Sequence, residues 1–444
     1  MRDLLLTAIV FGITPIAIYR PWFGVLAYYW ISLMNPHKLS WGFAVTMPFA
    51  QILALATLIG LLGSKDRKPI PWTTELVLMV ILMAYFTLTT MTSWAPHYAW
   101  YRWNMLFKIF LMTFVMTTLI HGRQRIHLLL LTAALSIGFY GFKGGVFTLT
   151  GGGVNQVRGP NGTFIGGNNE IGLALLMVLP LLIFLGRDEP GKWLKRFLVA
   201  TAVLSCFSIV FTYSRGAMLG LAVLLPLIFL RSKAKFIFLL VGLPIAYFAY
   251  QWAPESLFKR AETINSYEED ASAMQRMQAW SVSWNIAKDH PLLGAGFDME
   301  YSPDEDRWLS YADPKYARFG NQSRAAHSVF FQVIGHHGFL AAGLYFLMLA
   351  LFMHRLYRLR KVPRRYPELK WVATYADALF LGMVGFLVCG AFLNSAYFDL
   401  MFLFLAMGSV LQREVKQHMQ AQGVPCPPDK RIPIQSTQTQ PKFS

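Results

Sequence analysis

Apolar runs close to the ~20 residues needed to cross a bilayer recur from one end of this chain to the other. Leu173 to Leu185 reads LALLMVLPLLIFL, and Phe236 to Trp252 contains almost no polar side chain. Only 14% of the residues are charged, where a soluble chain carries about 25%. Arg2 and Asp3 lead into the first apolar run without a small-residue cleavage site, so that run reads as a retained membrane segment and not as a secretory signal. The expected fold class is an all-α integral membrane protein.

A formal net charge of +17 would suit a nucleic-acid binder, but its distribution argues against nucleic acid as a partner. The basic residues gather in short links between apolar runs: Ser64 to Pro69, Gly122 to Arg125, Arg187 to Arg196, Arg231 to Lys235 and His354 to Lys370. Short loops rich in Lys and Arg are retained on the cytoplasmic side, so the excess charge is a topology signal. The cysteines form no disulfide framework, because Cys206 and Cys389 lie in apolar runs and Cys426 in a polar tail.

Placing those links in the cytoplasm orders most of the chain. Spans are expected near residues 72–90, 105–120, 127–149, 170–186, 198–213, 216–230, 236–251, 328–353, 373–393 and 396–412. Residues 4–34, broken at Arg20-Pro21, and a span near 44–62 read either as three crossings, which would place the N-terminus outside, or, preferred here, as one interrupted crossing followed by the 44–62 span. The total is about twelve spans with both termini inside. The outer link Ser93 to Trp103, SWAPHYAWYRW, has the Trp and Tyr content of a membrane interface. The chain then divides into N-terminal transmembrane helices (1–252), a large outer loop (253–327), C-terminal transmembrane helices (328–412) and a disordered cytoplasmic tail (413–444). An outer segment of about 75 residues usually caps a site or binds a partner. Within it Met274 to Lys288 has helical character, with Met277, Trp280, Val282 and Trp284 able to cover an apolar surface, and Pro291 and Gly294 end the helix.

This topology puts four unusual polar groups on one side of the membrane. Arg158 lies in a Gly-rich loop (151–169), Arg215 at an outer span boundary, Arg276 in the large loop and His327 at a span entrance. Arginine at a membrane boundary is costly unless it snorkels or meets an anion, and its planar fork suits phosphate oxygens. Convergent arginines on an outer face suggest a diphosphate held at the membrane surface, as on a lipid-linked sugar donor. An imidazole beside it is suited to accept the proton of an attacking hydroxyl. Each feature also has a plainer reading. A single arginine at a span end is more often a topology anchor than a ligand, and a lone histidine at a helix start is more often a cap. Composition alone leaves a transporter and an enzyme equally open.

Three stretches resemble the O-antigen ligase (WaaL) family, within the membrane O-antigen ligase and polymerase group. Thr212-Tyr213-Ser214-Arg215-Gly216-Ala217 resembles the family's S-R-G element at the outer end of a span. Arg276, Trp280 and Asp289-His290-Pro291-Leu292-Leu293-Gly294-Ala295-Gly296 resemble its R-x-x-x-W and P-x-x-G-x-G pattern. His327-Ser328, followed after nine residues by Gly338, matches its H-[NSQ]-x9-G pattern. The stretch Arg158 to Gly172, RGPNGTFIGGNNEIG, adds support.

The resemblance implies a GT-C-type membrane glycosyltransferase that uses neither a nucleotide sugar nor a catalytic metal or other cofactor. It implies transfer of polysaccharide from undecaprenyl diphosphate to lipid A-core oligosaccharide, in the bacterial inner membrane with the active site facing the periplasm. Arg215 and Arg276 would bind the diphosphate with support from Arg158, and His327 would serve catalysis. A protein O-oligosaccharyltransferase or an O-antigen polymerase would use the same donor, and a lipid-linked sugar transporter is the non-enzymatic alternative.

Other signals read more plainly. Asp304-Glu305-Asp306 fits a D-x-D pattern but is better taken as a solvated acidic loop. His336-His337 lacks the H-E-x-x-H pattern of a zinc site and suits helix packing or a polar lining. Lys143 either snorkels outward or lines a cavity.

Overall fold

In a computed structural model, which describes residues 1–231, 271–317, 319–320 and 322–423, the apolar runs are helices and no strand forms among the described residues. Seven described helices are long and apolar enough to cross a membrane. The helices that matter below are α1 (Arg2–Tyr19), α2 (Pro21–Met34), α3 (Phe49–Gly63), α4 (Thr74–Met91), α5 (Pro96–Leu119), α6 (Gly122–Thr150), α7 (Asn168–Asp188), α8 (Lys192–Val210) and α9 (Arg215–Arg231). They are followed by α10 (Ala271–Asp289), α11 (Val329–Leu359), α12 (Lys370–Gly390) and α13 (Asp399–Ala421). The expected span at 236–251, the start of the large loop and the tail beyond 423 lie outside the described residues.

Two helices form the middle of the bundle. Every residue of α7 from Ile171 to Leu182 and of α13 from Asp399 to Leu411 is buried. An α-helix that is apolar on all sides belongs inside a bundle, and over these stretches almost every side chain is apolar. α6, α8, α9 and α12 surround α7, while α4, α5, α11 and α12 surround α13.

The basic links meet at one end of the bundle, as their charge predicts. Asp66 pairs with His121 at 3.0 Å and with Arg125. Asp377 pairs with Arg231 at 3.4 Å and with Arg360. The fully buried Glu75 takes two bonds from Arg355, at 2.9 and 2.6 Å. Arg413 donates to the carbonyls of Thr117 at 2.6 Å and Ile120 at 2.7 Å, which fastens α13 to the end of α5. At the opposite end the Trp94 N–H donates to the Ala295 carbonyl at 2.9 Å, and Tyr98 stacks on Tyr301 with ring centroids 4.9 Å apart. The aromatic link thus docks on the large loop.

The N-terminal expectation needs correction. Residues 4–34 are not one interrupted crossing but a helical hairpin. Leu6 and Val10 of α1 pack in one cluster with Ala27 and Ile31 of α2 and with Phe49 and Leu53 of α3. Pro21 opens α2 at a first-turn position, where its missing N–H costs nothing, so the chain starts a new helix there instead of kinking the old one. Arg125 lies over the Trp22 ring at 5.0 Å, which puts the hairpin turn at the basic end. Arg2 reaches the Leu39 carbonyl at 3.4 Å, and Asp3 accepts from the N–H groups of Gly42 at 3.0 Å and Ala44 at 3.1 Å. The first residues therefore lie at the end opposite to the one expected.

Candidate functional site

The turn between α8 and α9 is built to present Arg215. Ser214 caps α9, its hydroxyl accepting the Ala217 N–H at 3.3 Å, and this makes Arg215 the first helical residue. Tyr213 takes a left-handed conformation (φ 53°) to turn the chain into that cap. The Gly-rich loop clamps the turn from above. Gln156 Nε2 and Asn168 Nδ2 both donate to the Thr212 carbonyl at 3.0 Å, and the Val157 N–H donates to Phe211 O at 2.9 Å. As a result α7, which begins at Asn168, and α9, which begins at Arg215, open their N-termini onto one space. Helix N-termini carry partial positive charge and attract anions.

That space is a cleft of about 530 Å³ lined by Gln156, Asn168, Asn169, Arg215, Arg276 and Trp280, among others. Its opposite wall is apolar and includes Leu219 and Phe392, both exposed on the outside of the bundle. One cleft thus joins cationic and amide groups to a lipid-compatible side.

Arg276 and Trp280 stand one helical turn apart on α10, on the same face. The Trp280 indole N–H donates to the Ala326 carbonyl at 2.7 Å, and its ring stacks on Phe331 at 5.0 Å. Trp280 therefore fastens α10 to the residues on either side of His327. A second cleft of about 730 Å³ opens there, lined by Gln275, Arg276, Glu300, Ser323, Arg324 and His327, among others. Arg276 lines both clefts, with Arg215 in the first and His327 in the second.

His327 also has a left-handed backbone (φ 45°). Its side chain reaches solvent, yet the surrounding chain desolvates the imidazole, and Arg276 and then Arg324 repel its charged form. Glu300 opposes them, but the balance holds the His327 pKa below the ordinary imidazole value. A neutral ring next to a guanidinium is an available proton acceptor.

The two loop motifs are halves of one joint. α11 breaks at Gly338, whose backbone (φ 75°, ψ −179°) is one that only glycine adopts readily. Residues 291–296 cross the break. The Phe339 N–H donates to Pro291 O at 2.8 Å, the Ala295 N–H to Gly335 O at 3.0 Å, and the Gly296 N–H to His336 O at 2.7 Å. Gly294 (φ 58°) lies so close that a Cβ there would stand 2.6 Å from the His337 nitrogen. Carbonyls freed by the helix break are thus satisfied by the loop, as buried backbone requires.

Beneath the second cleft lies a buried polar network. Arg102 of α5 donates to Asp298 at 2.9 Å, His336 meets Glu300 at 3.4 Å and Tyr397 at 3.2 Å, and Ser323 donates to the Glu300 carbonyl at 2.6 Å. Burial alone would raise the Glu300 pKa. His336, the Glu300 backbone N–H and Arg102 outweigh burial and hold the carboxyl below its usual range. Among the described residues Asp298, Glu300 and His336 are the group with metal-ligand spacing, their ligand atoms lying within 4.8 Å of one another. Asp298 is held by Arg102, and Glu300 lies within hydrogen-bond reach of His336, so both carboxylates have protein partners.

Comparison with known proteins bears on this site directly. Residues 1–190 match a family of unknown function, and residues 200–346 match the O-antigen ligase family. The O-antigen ligase match covers about a third of the chain, so it is this segment that resembles the family. No curated protein matches the chain. The family comprises membrane proteins of GT-C-like fold with glycosyltransferase-like activity. Its matched segment contains Arg215, Arg276 and His327 together.

Around the matched segment, the geometry sorts the residues singled out by sequence. Arg215, Arg276 and His327 lie along two clefts that share Arg276. Arg158 does not line either; it is exposed and donates to Gln156 Oε1 at 2.8 Å, so the loop presents Gln156, Asn168 and Asn169 to the cleft instead. Asp304, Glu305 and Asp306 are exposed, but they open a short helix (Glu305–Leu309) that Asp304 caps, and Glu305 lines the second cleft. His337 packs against Phe86 and Phe297 and bonds Thr89 at 2.7 Å, a helix-packing role, while His336 joins the polar network. Lys143 is exposed on α6 and lines neither cleft. Trp284, expected to cover apolar surface, is 43% exposed, and Ile286 and Ala279 take that place beside Val282. Sequence reading missed Asn168, Asn169, Glu300, Arg324 and Arg102. The amides carried a signal in the doubled Asn at a helix start; the others carried none before the loop was folded.

Proposed function

We propose that this protein is an O-antigen ligase, transferring polysaccharide from undecaprenyl diphosphate to lipid A-core oligosaccharide on the periplasmic face of the inner membrane. The observation that carries this reading is the double role of Arg276, which lines the cleft of Arg215 and that of His327 alike. The first cleft suits a lipid diphosphate. Its guanidinium groups, amides and two helix N-termini face the phosphates, and its apolar wall faces the prenyl chain. The donor's sugar would then project toward His327.

In this mechanism the acceptor hydroxyl attacks the anomeric carbon and the anomeric C–O bond to the diphosphate breaks. The bonding electrons pass to the diphosphate oxygen, where Arg215 and Arg276 stabilise the growing charge. His327 takes the hydroxyl proton, a contribution of roughly 100- to 10,000-fold. No step calls for a metal ion.

The test is a purified preparation given a lipid-linked polymer together with lipid A-core. Glycan is expected on lipid A-core with the wild type and none with His327→Ala, the variant remaining inserted and folded. Glycan appearing only on an added acceptor protein, or as lengthened donor polymer, would assign the same chemistry to a protein glycosyltransferase or a polymerase. A transporter is disfavoured by where the charges lie. Alternating access needs several ionisable groups near the midplane, whereas here, Lys108 of α5 apart, most described ones gather at the two ends and those at the basic end are largely paired with one another.

A further inference from the structure

A third opening is lined by Arg102, the partner of Asp298, and shares no lining residue with the two clefts already described. It is a groove of about 640 Å³ between α2, α3 and α5, closed at one end by the tip of the Gly-rich loop at Gly162 to Phe164. Its lower wall is apolar and open to the outside of the bundle: Leu55 is 61% and Leu111 37% exposed. Its upper part is polar, with Asn35, Tyr101 and Arg102.

Lys108 stands between these parts. It is half-buried, in the middle of α5, among Met105, Ile109 and Met112, and it has no hydrogen-bond or ion-pair partner among the described residues. A charged side chain inside an apolar span is expensive and marks a functional position by default. Helical side chains lean toward the helix N-terminus, and the N-terminus of α5 is at the site end, so the ammonium is directed toward the polar part of the groove. Tyr101, Met105, Lys108 and Met112 follow helical spacing and form one continuous face of α5.

We infer that this groove is a second lipid site, which takes a phosphorylated amphiphile from the bilayer, its chains along α3 and its phosphate beside Lys108. Charge complementarity favours an anionic headgroup, since a lysine in an apolar wall is best stabilised by an anion placed beside it. The exposed apolar wall selects a lipid over a free phosphate. Arg102 lines this groove and holds Asp298, two residues from Glu300 in the His327 cleft. A lipid seated there would reach the reaction centre through a groove separate from the one proposed for the donor. Its role as the acceptor rests on the function proposed above; its binding does not.

The test uses full-length protein in phosphatidylcholine vesicles containing a phosphatidic acid with a photoreactive acyl chain, or the matching diacylglycerol. Labelled peptides are then mapped. Phosphatidic acid is expected to label residues 49–63 and 101–112, and Lys108→Gln to reduce that labelling about tenfold, the loss of one charge-assisted bond. Lys108→Arg should retain most of it. Arg215→Gln should leave labelling unchanged, so a failure of the ligase reading and a failure of the groove are distinguishable. Equal labelling by diacylglycerol, equal labelling of Lys108→Gln, or labelling confined to the basic end of the bundle would each overturn the inference.

Discussion

The Phe339 N–H donates to the Pro291 carbonyl at 2.8 Å, directly across the break that Gly338 makes in α11. His327 and Arg276 belong to segments on either side of this joint, so their relative placement depends on it. A Cβ at residue 338 would collide with the Pro291 carbonyl and would strain a backbone only glycine tolerates. Gly338→Ala should cost roughly 1–3 kcal/mol in backbone strain alone and should abolish transfer. Thermal unfolding and limited proteolysis of residues 291–327 measure it. An unchanged melting temperature would mean the joint is not structural.

Asp298 is 5% exposed and its partner Arg102 is 29% exposed. Asp298→Asn leaves the guanidinium without its counter-charge. Because Arg102 is partly solvated, the cost should be about 2 kcal/mol, below that of a fully buried pair. Asp298→Asn with Arg102→Gln should cost less than the sum of the two single changes, by about 0.5–3 kcal/mol. Strict additivity in denaturant melts would show that the pair is not coupled.

The helices and the sidedness of the basic links were legible in the sequence because both follow from local rules: apolar length and loop charge. The hairpin of α1 and α2 was not. Arg20-Pro21 marks a break either way, and only the packing of Leu6 and Val10 on Ala27 and Ile31 decides that the chain reverses. Arg215, Arg276 and His327 were found through short motifs, but the reason for those motifs is tertiary. The P-x-x-G-x-G stretch and Gly338 are shaped to each other across more than forty residues of chain. The run Asp298 to Asp306 reads as uniformly acidic, yet Asp298 and Glu300 are buried while Asp304 to Asp306 are exposed. Their partners, Arg102 and His336, come from distant helices.

His327 has its pKa lowered by desolvation and by Arg276. A lowered value keeps the imidazole neutral to lower pH, so kcat/KM should be level above the ordinary value of about 6.5 and fall only below it. Arg276→Gln removes one of the forces that lower the pKa, so the acid limb of its residual activity should move to higher pH. A limb that stays in place or moves downward in the pH profile would contradict the contact.

Arg276 and Arg215 are expected to act through their planar forks and not through charge alone. Lysine at either position should therefore recover little of the activity lost with glutamine, each substitution lowering kcat/KM by about 10- to 100-fold, as for a lost hydrogen bond to a charged group. Full activity in both lysine variants, measured by glycan transfer, would reduce the arginines to a general positive field.

The most direct measurement is the affinity of the purified protein for undecaprenyl diphosphate, compared among the wild type, Arg215→Gln, Arg276→Gln and His327→Ala. Both arginine variants should bind at least about tenfold more weakly, while His327→Ala should bind like the wild type and transfer nothing. Wild-type affinity in both arginine variants would contradict the account.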